Sequence, residues 1–301
     1  MGQSVVLALA GDTGMRVVES DRPGLGGSGI LEMDLLEASA DDLGRTLSSL
    51  GASVVVNCTG LTSGSAEEMA VANVEVVARL LAGIERMAVR PRLVHIGSAA
   101  EYGTAPEGVL VREDAVAAPL GAYAATKLAA TRLVGEAVAR GEVDALVLRV
   151  FNAVGPRMPE TSLPGAAVQR LRRAVAAGEA TIEMGPLQTV RDFVDVRDIG
   201  AAVVAACRPG APAGGPAPAA PVINVGTGRP HTSRELVESL ARRLDFRGAI
   251  TERAAGSERS ANVPWMVADV SLAARVLGWR AVHDLDSIAD LVVGSEAAEG
   301  R

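Results

Sequence analysis

Leu93-Val-His-Ile-Gly-Ser98-Ala-Ala-Glu-Tyr-Gly103 is a short apolar run that gives way to small and polar residues. This order predicts a buried parallel strand that ends near Ser98. Ligands of open α/β sheets bind outside the carboxyl ends of the strands, so we expect Ser98 to lie at a ligand site. A serine in an ordinary strand-end turn would give the same pattern, and Ser98 alone does not distinguish the two interpretations.

Other short runs of Val, Leu and Ile have the same character and predict further strands at residues 4–10, 54–58, 92–96, 145–150 and 222–225. Between them, apolar residues recur at helical spacing, and Thr232 with Glu235 forms a capping box for one of these helices. The alternation predicts an α/β fold with a doubly wound, mostly parallel sheet. We expect a first domain over residues 1–155, to which 190–230 return, and a smaller C-terminal α/β lobe from 156–189 and 231–301.

Tyr123-Ala-Ala-Thr-Lys127 places a phenol and an ammonium group four residues apart, on one face of a predicted helix. A fixed positive charge favours the phenolate, so the tyrosine can exchange a proton with a carbonyl or alcohol oxygen nearer neutral pH. Ser98 could orient that oxygen while hydride reaches the carbon atom. An amphipathic helix with a snorkelling lysine is the alternative interpretation.

Six motifs in order resemble the extended short-chain dehydrogenase/reductases, the family of nucleotide-sugar epimerases, dehydratases and reductases. They are residues 57–60, 97–103, 123–127, 149–157, 190–198 and 224–228. The segment from Met184 to Asp198 looks most like the branch of GDP-mannose 4,6-dehydratase and GDP-4-keto-6-deoxymannose reductase. The resemblance implies a Rossmann-like fold and a homodimer built on a four-helix bundle. The bundle would use helices at residues 69–84 and 123–140, with Ala124, Ala129, Ala130 and Ala137 on outer faces that approach closely.

The resemblance also implies roles for individual residues. Ser98, Tyr123 and Lys127 would be catalytic. NAD or NADP would be held by Gly11, Asp12, Thr13, Gly14, Asp34, Leu35, Asn57, Cys58, Thr59, Gly60, Asn73 and Phe151. The substrate would meet Ala99, Ala100, Glu101, Asn152, Arg157, Arg191 and Arg259. Arginine suits a diphosphate because its planar fork donates two parallel hydrogen bonds.

The residues beside Ser98 bear on the reaction. Family dehydratases place carboxylates directly after the serine or threonine, whereas this chain has Ala99 and Ala100 there, and strand-like alternation would turn Glu101 to another face. A dehydratase is therefore disfavoured. We expect reduction of a 4-keto-6-deoxy nucleotide sugar with Tyr123 as general acid. The alternatives are a nucleotide-sugar 4-epimerase, a ketoreductase of a non-nucleotide natural-product ketone, and a non-catalytic family member.

The N-terminal region departs from the family pattern. Gly11 and Gly14 match the first two glycines of the family's turn, but Val17 occupies the third position. Only fifteen residues separate Gly14 from the predicted strand at Ile30, too few for a helix, a second strand and a loop. Either the first helix or the second strand is largely missing. Asp21 is either the acidic residue that reads a ribose hydroxyl or an ordinary loop charge, so NAD and NADP both remain open.

Composition excludes several classes of protein. The chain of 301 residues is 49% hydrophobic and carries a formal charge of −7, which argues against a nucleic-acid binder. Cys58 and Cys207 have no paired spacing and predict neither a disulfide framework nor a metal site. No leader or membrane segment is recognisable, so we expect a cytoplasmic protein. The proline-rich stretch at residues 208–221 predicts a surface loop or linker.

Overall fold

The structure is a computed structural model that describes residues 1–12, 14–21, 30–208, 222–254 and 263–297. Four parallel strands form its central sheet. In spatial order they are β10 (Val222–Val225), β5 (Ala145–Val150), β4 (Arg92–Ser98) and β3 (Val54–Asn57). The register places Asn57 opposite His95 and Ser98 opposite Val150, so the carboxyl ends of neighbouring strands meet at one edge. The predicted mostly parallel α/β sheet is confirmed.

Helices cover both faces of this sheet because its inner strands are apolar on both sides. Val94 and Ile96 of β4 pack in one core cluster, which includes Ile199 of the helix at Val196–Cys207. Leu93 packs on the opposite face in a second cluster, with Val134 of the helix at Gly121–Ala139. The alternation of side chains along β4 therefore separates two helical layers.

The remaining bounds are as follows. The helices are α1 (Gly2–Ala10), α2 (Ala40–Leu50), α3 (Ala66–Ala70), α4 (Val76–Glu85), α5 (Gly121–Ala139), α6 (Leu163–Ala177), α7 (Val196–Cys207), α8 (Ser233–Arg243), α9 (Ser271–Leu277) and α10 (Leu285–Ala297). A π turn at Val71–Glu75 joins α3 to α4, and a 3-10 turn at Ala99–Tyr102 follows β4. The short strands are β1 (Ser20–Asp21), β2 (Leu31–Glu32), β6 (Asn152–Val154), β7 (Thr181–Glu183), β8 (Val190–Arg191), β9 (Phe193–Asp195), β11 (His231–Thr232), β12 (Ala249–Thr251) and β13 (Trp265–Met266).

The N-terminal segment contradicts the prediction of a strand at residues 4–10, because these residues form part of helix α1. Val5 and Leu9 are buried in the cluster that contains α7, and a Cβ added at Gly200 of α7 would lie 2.7 Å from the Cβ of Ala8. Residues 14–21 contain no helix, and β1 pairs in parallel with β2. Packing against α7 therefore buries Val5 and Leu9 in a helix rather than in a strand, while Leu7 on the other side of α1 is exposed.

The C-terminal part of the chain has a hydrophobic core of its own. Leu171 of α6, Leu236 of α8 and Ile288 of α10 belong to one cluster that the central sheet does not share. Helix α8 begins at the predicted capping box, in which Thr232 accepts from the Glu235 amide and Glu235 accepts from the Thr232 amide. The proposed domain boundaries remain a prediction.

Helix α5 presents a different outer face from the one expected. Ala124, Ala130 and Ala137 are buried inside the subunit, so their prediction as outward-facing residues is wrong. Ala130 and Ala137 belong to the core cluster that contains Val134 and strand residues, and of the four alanines Ala129 alone is partly exposed. The homodimer remains a prediction. In the described ranges no helix has both the length and the apolar character needed to cross a membrane.

Candidate active site

Ser98 ends β4 and begins the 3-10 turn, which places it at the carboxyl edge of the sheet. Its Oγ accepts a hydrogen bond from the Ala100 amide at 3.2 Å, and its own amide donates to Glu101 Oε1 at 2.8 Å. The side chain is half-buried. The strand end and the capping contacts together fix the Ser98 backbone.

Tyr123 and Lys127 lie one turn apart on helix α5, as their spacing predicts. Lys127 is only 4% exposed, and its Nζ donates to the Ile96 carbonyl oxygen at 2.6 Å. Burial lowers the pKa of Lys127, while the carboxylate of Glu101 opposes that shift. Because Ile96 and Ser98 are two residues apart, one strand holds both Ser98 and the lysine ammonium group.

The loop after β3 passes close to the lysine. Asn57 Oδ1 accepts from the Thr59 amide at 3.0 Å and from the Thr59 hydroxyl at 2.6 Å, which closes a tight turn. Gly60 follows with φ 151°, and a Cβ there would lie 3.0 Å from Asn73 Oδ1 and 3.9 Å from Lys127 Nζ. Backbone can approach the lysine here because position 60 has no side chain.

Asn73 connects this loop to the tyrosine helix. Its side-chain amide donates to the Leu61 carbonyl oxygen and to Thr126 Oγ1, both at 3.0 Å, and its Oδ1 accepts from the Leu61 amide at 2.7 Å. Thr126 in turn donates to the Tyr123 carbonyl oxygen at 2.9 Å. The π turn carries Asn73 to this position, so Asn73 holds the site from within the protein.

Glu101 was predicted to meet the substrate, but the structure places it beneath Ser98 in the core. It is fully buried and forms an ion pair with Arg149 of β5 at 2.8 Å. The Arg149 guanidinium lies 4.3 Å from the ring centroid of Tyr102, whose hydroxyl donates to Asn224 Oδ1 at 2.7 Å. Sequence reasoning missed Arg149, although a cation inside the apolar run at residues 145–150 could have revealed it.

Two predicted residues follow β5. Phe151 is buried against Tyr102, with ring centroids 6.3 Å apart. Asn152 donates through its side-chain amide to the Asp192 carbonyl oxygen at 3.2 Å. The Asp192 carboxylate, which sequence reasoning did not single out, accepts from the Thr227 amide at 2.7 Å and hydroxyl at 2.6 Å. This buried aspartate joins two of the six motifs, residues 190–198 and 224–228.

The predicted arginines do not all lie together. Arg191 in β8 is buried, its Nη1 donates to the Val190 carbonyl oxygen at 2.9 Å, and burial lowers its pKa to about 10. It stays cationic at neutral pH. Arg157 is exposed, has φ 54°, and donates to the side chain of Gln3 in α1. Arg259 and Thr13 lie outside the described residues.

The glycine-rich turn follows a helix, whereas the predicted strand at residues 4–10 would have placed it after a strand. Gly11 caps the carboxyl end of α1, and the Gly14 amide donates to Asp12 Oδ1 at 3.1 Å. Since residues 14–21 contain no helix, no helix N-terminus in this range faces a pyrophosphate. Asp34 accepts from the Leu36 amide at 2.9 Å, and Leu35 packs in a small apolar cluster.

Three other features of the site limit its chemistry. Burial raises the pKa of the Cys58 thiol to about 11, so this cysteine is protonated at neutral pH. Ala99 is buried and Ala100 is half-buried beside Ser98. No cluster of His, Cys, Asp and Glu in the described part of the chain could hold a metal ion.

Comparisons with known proteins agree with this arrangement. Residues 2–226 match the model of the NAD dependent epimerase/dehydratase family. The chain is 39% identical over 249 residues to dTDP-6-deoxy-L-talose 4-dehydrogenase (NAD(P)(+)) of Kitasatospora kifunensis, which covers 82% of this chain and 76% of the relative. It is 31% identical over 150 residues to GDP-6-deoxy-D-mannose reductase of Pseudomonas aeruginosa, which covers 49% of this chain and 47% of the relative.

A solved structure of MoeE5 in complex with UDP-glucuronic acid and NAD is also similar. It superposes with a TM-score of 0.80 at 28% identity and covers 99% of this chain and 96% of the other. The family expected from the six motifs is confirmed by the match over residues 2–226, and its name agrees with the predicted NAD or NADP. The chain belongs to the NAD dependent epimerase/dehydratase family.

Proposed function

We propose that this protein is an NAD(P)-dependent reductase that acts on the keto group of a nucleotide sugar, namely a 4-keto-6-deoxy sugar. The observation that carries the proposal is the buried Lys127, which is bonded to the strand that ends in Ser98 and lies one helical turn from Tyr123. The relative at 39% identity is a 4-dehydrogenase of a deoxy nucleotide sugar. A 4-dehydrogenase and a 4-ketoreductase catalyse the same redox reaction in opposite directions.

Each of the three residues has a definite role in this proposal. The Ser98 hydroxyl donates to the substrate carbonyl oxygen and orients it. Tyr123 gives its proton to the same oxygen as negative charge develops there. The Lys127 ammonium group stabilises the resulting phenolate, since its bond to the Ile96 carbonyl uses one of three N–H groups.

Bound NAD(P)H would supply the hydride for the carbonyl carbon, which would give an alcohol and NAD(P)⁺. The arrangement around Lys127 supports a site for one half of this cofactor. Because Gly60 has no side chain, its backbone lies close to Lys127, and we expect the ribose and nicotinamide to bind beside it. Residues 14–21, which follow the expected turn, contain no helix whose N-terminus would bind the pyrophosphate, so we expect weaker binding of the adenosine half.

The residues around Ser98 favour reduction over loss of water. Ala99 and Ala100 cannot move protons, and both carboxylate oxygens of Glu101 accept hydrogen bonds within the protein. No carboxylate among the residues directly after Ser98 therefore points to a sugar carbon. A nucleotide-sugar 4-epimerase would use the same Ser98, Tyr123 and Lys127, and the assay must distinguish it.

The test is an assay of the purified protein with NADH and NADPH against dTDP- and GDP-linked 4-keto-6-deoxy sugars. We expect stoichiometric loss of reduced cofactor and a product heavier by two hydrogen atoms. Conversion between 4-epimers without net cofactor consumption would contradict reduction and support the epimerase. Reduction of simple ketones but of no nucleotide sugar would contradict the substrate class, and no turnover in either direction would contradict an enzyme of this type.

A further inference from the structure

We propose that Glu101 is a positioning residue that organises the catalytic group from beneath, holding the Ser98 backbone with one oxygen and presenting its negative charge to Lys127. The inference deepens the proposed function and rests on it for the catalytic role. It replaces the expectation that Glu101 meets the substrate.

The contacts of the carboxylate leave it little freedom. Oε1 accepts from the Ser98 amide at 2.8 Å. Oε2 accepts from Arg149 Nε at 3.0 Å and from Nη2 at 2.8 Å. Glu101 is 0% exposed and Arg149 is 4% exposed, so neither side chain reaches a bound sugar. The pair is therefore a fixed internal support for the end of β4.

The backbone of β4 is shaped to admit this support. A Cβ at Gly97 would lie 2.8 Å from Glu101 Oε1 and 2.9 Å from Val147 Cγ1, so a side chain at position 97 would displace the carboxylate. Three consecutive residues of β4 thus position Lys127 and Glu101. Ile96 accepts the bond from Lys127, Gly97 provides the space, and Ser98 donates to Glu101.

The charges around Lys127 explain why the carboxylate matters. Burial lowers the pKa of Lys127, and the Glu101 carboxylate raises it. The other titratable groups near the lysine are Cys58 after β3, His95 of β4 and Tyr123 of α5. Burial keeps the Cys58 thiol protonated and keeps His95 neutral by lowering its pKa. The Glu101 carboxylate is thus the main charge that counteracts burial of the lysine.

The chain contains a single lysine, Lys127, which makes a direct test possible. Protein labelled with carbon-13 at lysine Cε has one lysine resonance, and its chemical shift reports the protonation of Lys127. In Glu101→Gln we expect this resonance to titrate at lower pH than in the parent protein. We also expect kcat for the nucleotide sugar to fall by about tenfold, the scale of a lost supporting contact. KM should stay within about twofold, because Glu101 does not touch the substrate.

Asp144→Asn is the matched control, because it removes the carboxylate of a second arginine–carboxylate pair that links the β4 and β5 segments. Asp144 contacts Arg92, the first residue of β4, at 2.8 Å. This variant should leave the lysine titration and kcat unchanged. Glu101→Asp keeps the charge but shortens the side chain, so the lysine should titrate near the parent value while kcat remains low.

Glu101→Gln leaves the buried Arg149 without its carboxylate and can prevent folding. In that case Glu101→Gln/Arg149→Gln, which places two neutral amides together, takes its place, and we expect a smaller shift of the lysine titration in the same direction because loss of the Arg149 cation partly offsets loss of the carboxylate. An unchanged titration in the variant that folds overturns the proposal. A raised KM with unchanged kcat also overturns it and makes Glu101 a substrate contact. The resonance requires no substrate, so the inference is tested even if every nucleotide sugar proves inactive.

Discussion

The two tyrosines of the chain have opposite environments. Tyr102 is buried, its hydroxyl donates to Asn224, and burial raises its pKa to about 12. Tyr123 is half-buried at the start of α5, one turn from the Lys127 ammonium group. Although the Arg149 guanidinium also lies beside the Tyr102 ring, the Tyr102 hydroxyl is buried and already donates to Asn224, so it cannot reach a substrate oxygen. Tyr123 is therefore the candidate general acid.

Tyr123→Phe should lower turnover by about two to four orders of magnitude, the usual scale for a lost general acid, while cofactor affinity stays nearly constant. Single-turnover kinetics with a saturating nucleotide sugar would measure this. Tyr102→Phe removes the other hydroxyl and is the control, for which we expect a modest loss of stability and turnover within about threefold of the parent. Similar turnover in both variants would remove Tyr123 from the chemistry.

Arg191 is the second residue whose surroundings suggest a ligand. Its guanidinium is buried, and the resulting loss of hydration lowers its pKa to about 10. A substrate diphosphate would offset that cost through charge-assisted hydrogen bonds. Arg191→Ala should raise KM for a nucleotide sugar by about ten- to a hundredfold and change kcat little, because the contact exists before and during the reaction.

The control for Arg191 is Arg45→Ala, which removes an exposed arginine of helix α2 that pairs with Asp42. It should leave both constants unchanged. If Arg191→Ala also leaves KM unchanged for every nucleotide sugar tested, the diphosphate contact is refuted, and a ketone without a nucleotide becomes the better substrate class.

At the scale of secondary structure, sequence patterns predicted the central elements well. The runs at residues 145–150 and 222–225 are strands with the predicted bounds, because a short apolar run between turn residues fits a buried strand. The run at residues 4–10 is equally apolar, but it forms helix α1. Short apolar runs do not distinguish the two states, and tertiary packing against α7 decides this one.

The placement of some site residues could be predicted from the sequence, and the placement of others could not. Ser98, Tyr123 and Lys127 were predictable because strand-end and helical spacing are local properties. The pairing of Glu101 with Arg149 was not, since it joins β5 to a turn after β4 through a contact that no local pattern specifies. A carboxylate three residues after Ser98 can face a cleft or the core, and the buried guanidinium draws it into the core.

The packing of α1 on α7 gives a test of the unexpected helix. Gly200 lies where a Cβ would be 2.7 Å from the Ala8 Cβ and 3.0 Å from the Ser4 carbonyl oxygen. Gly200→Val should displace α1, raise amide exchange at residues 5–11 and lower the free energy of unfolding by about 1–3 kcal/mol. Ala201→Val, on the exposed side of α7, is the matched control and should leave this exchange unchanged. Equal protection in both variants would refute the packing.

At the scale of the whole molecule, the residues expected to bind the nicotinamide end of the cofactor differ from those expected to bind its pyrophosphate end. Lys127 and Ser98 come from helix α5 and strand β4 and are held by hydrogen bonds within the protein, and Gly60 lies in the loop after β3. The turn from Gly11 to Gly14 follows a helix and leads to the short parallel pair β1 and β2. Under the proposed function we therefore expect the nicotinamide end of a dinucleotide to bind beside Lys127, and the pyrophosphate end to gain no helix dipole from residues 14–21.

This asymmetry predicts weak and undiscriminating cofactor binding. We expect dissociation constants above about 1 μM for both NADH and NADPH, because the interactions that usually hold the adenosine half are reduced. Asp21 in β1 is exposed, so Asp21→Asn should change the preference between the two by less than about threefold. A competition assay with a fluorescent nucleotide analogue measures both quantities. Sub-micromolar affinity with about a hundredfold preference for one cofactor would show that another part of the chain rebuilds the adenosine half, and a large effect of Asp21→Asn would assign that selectivity to β1.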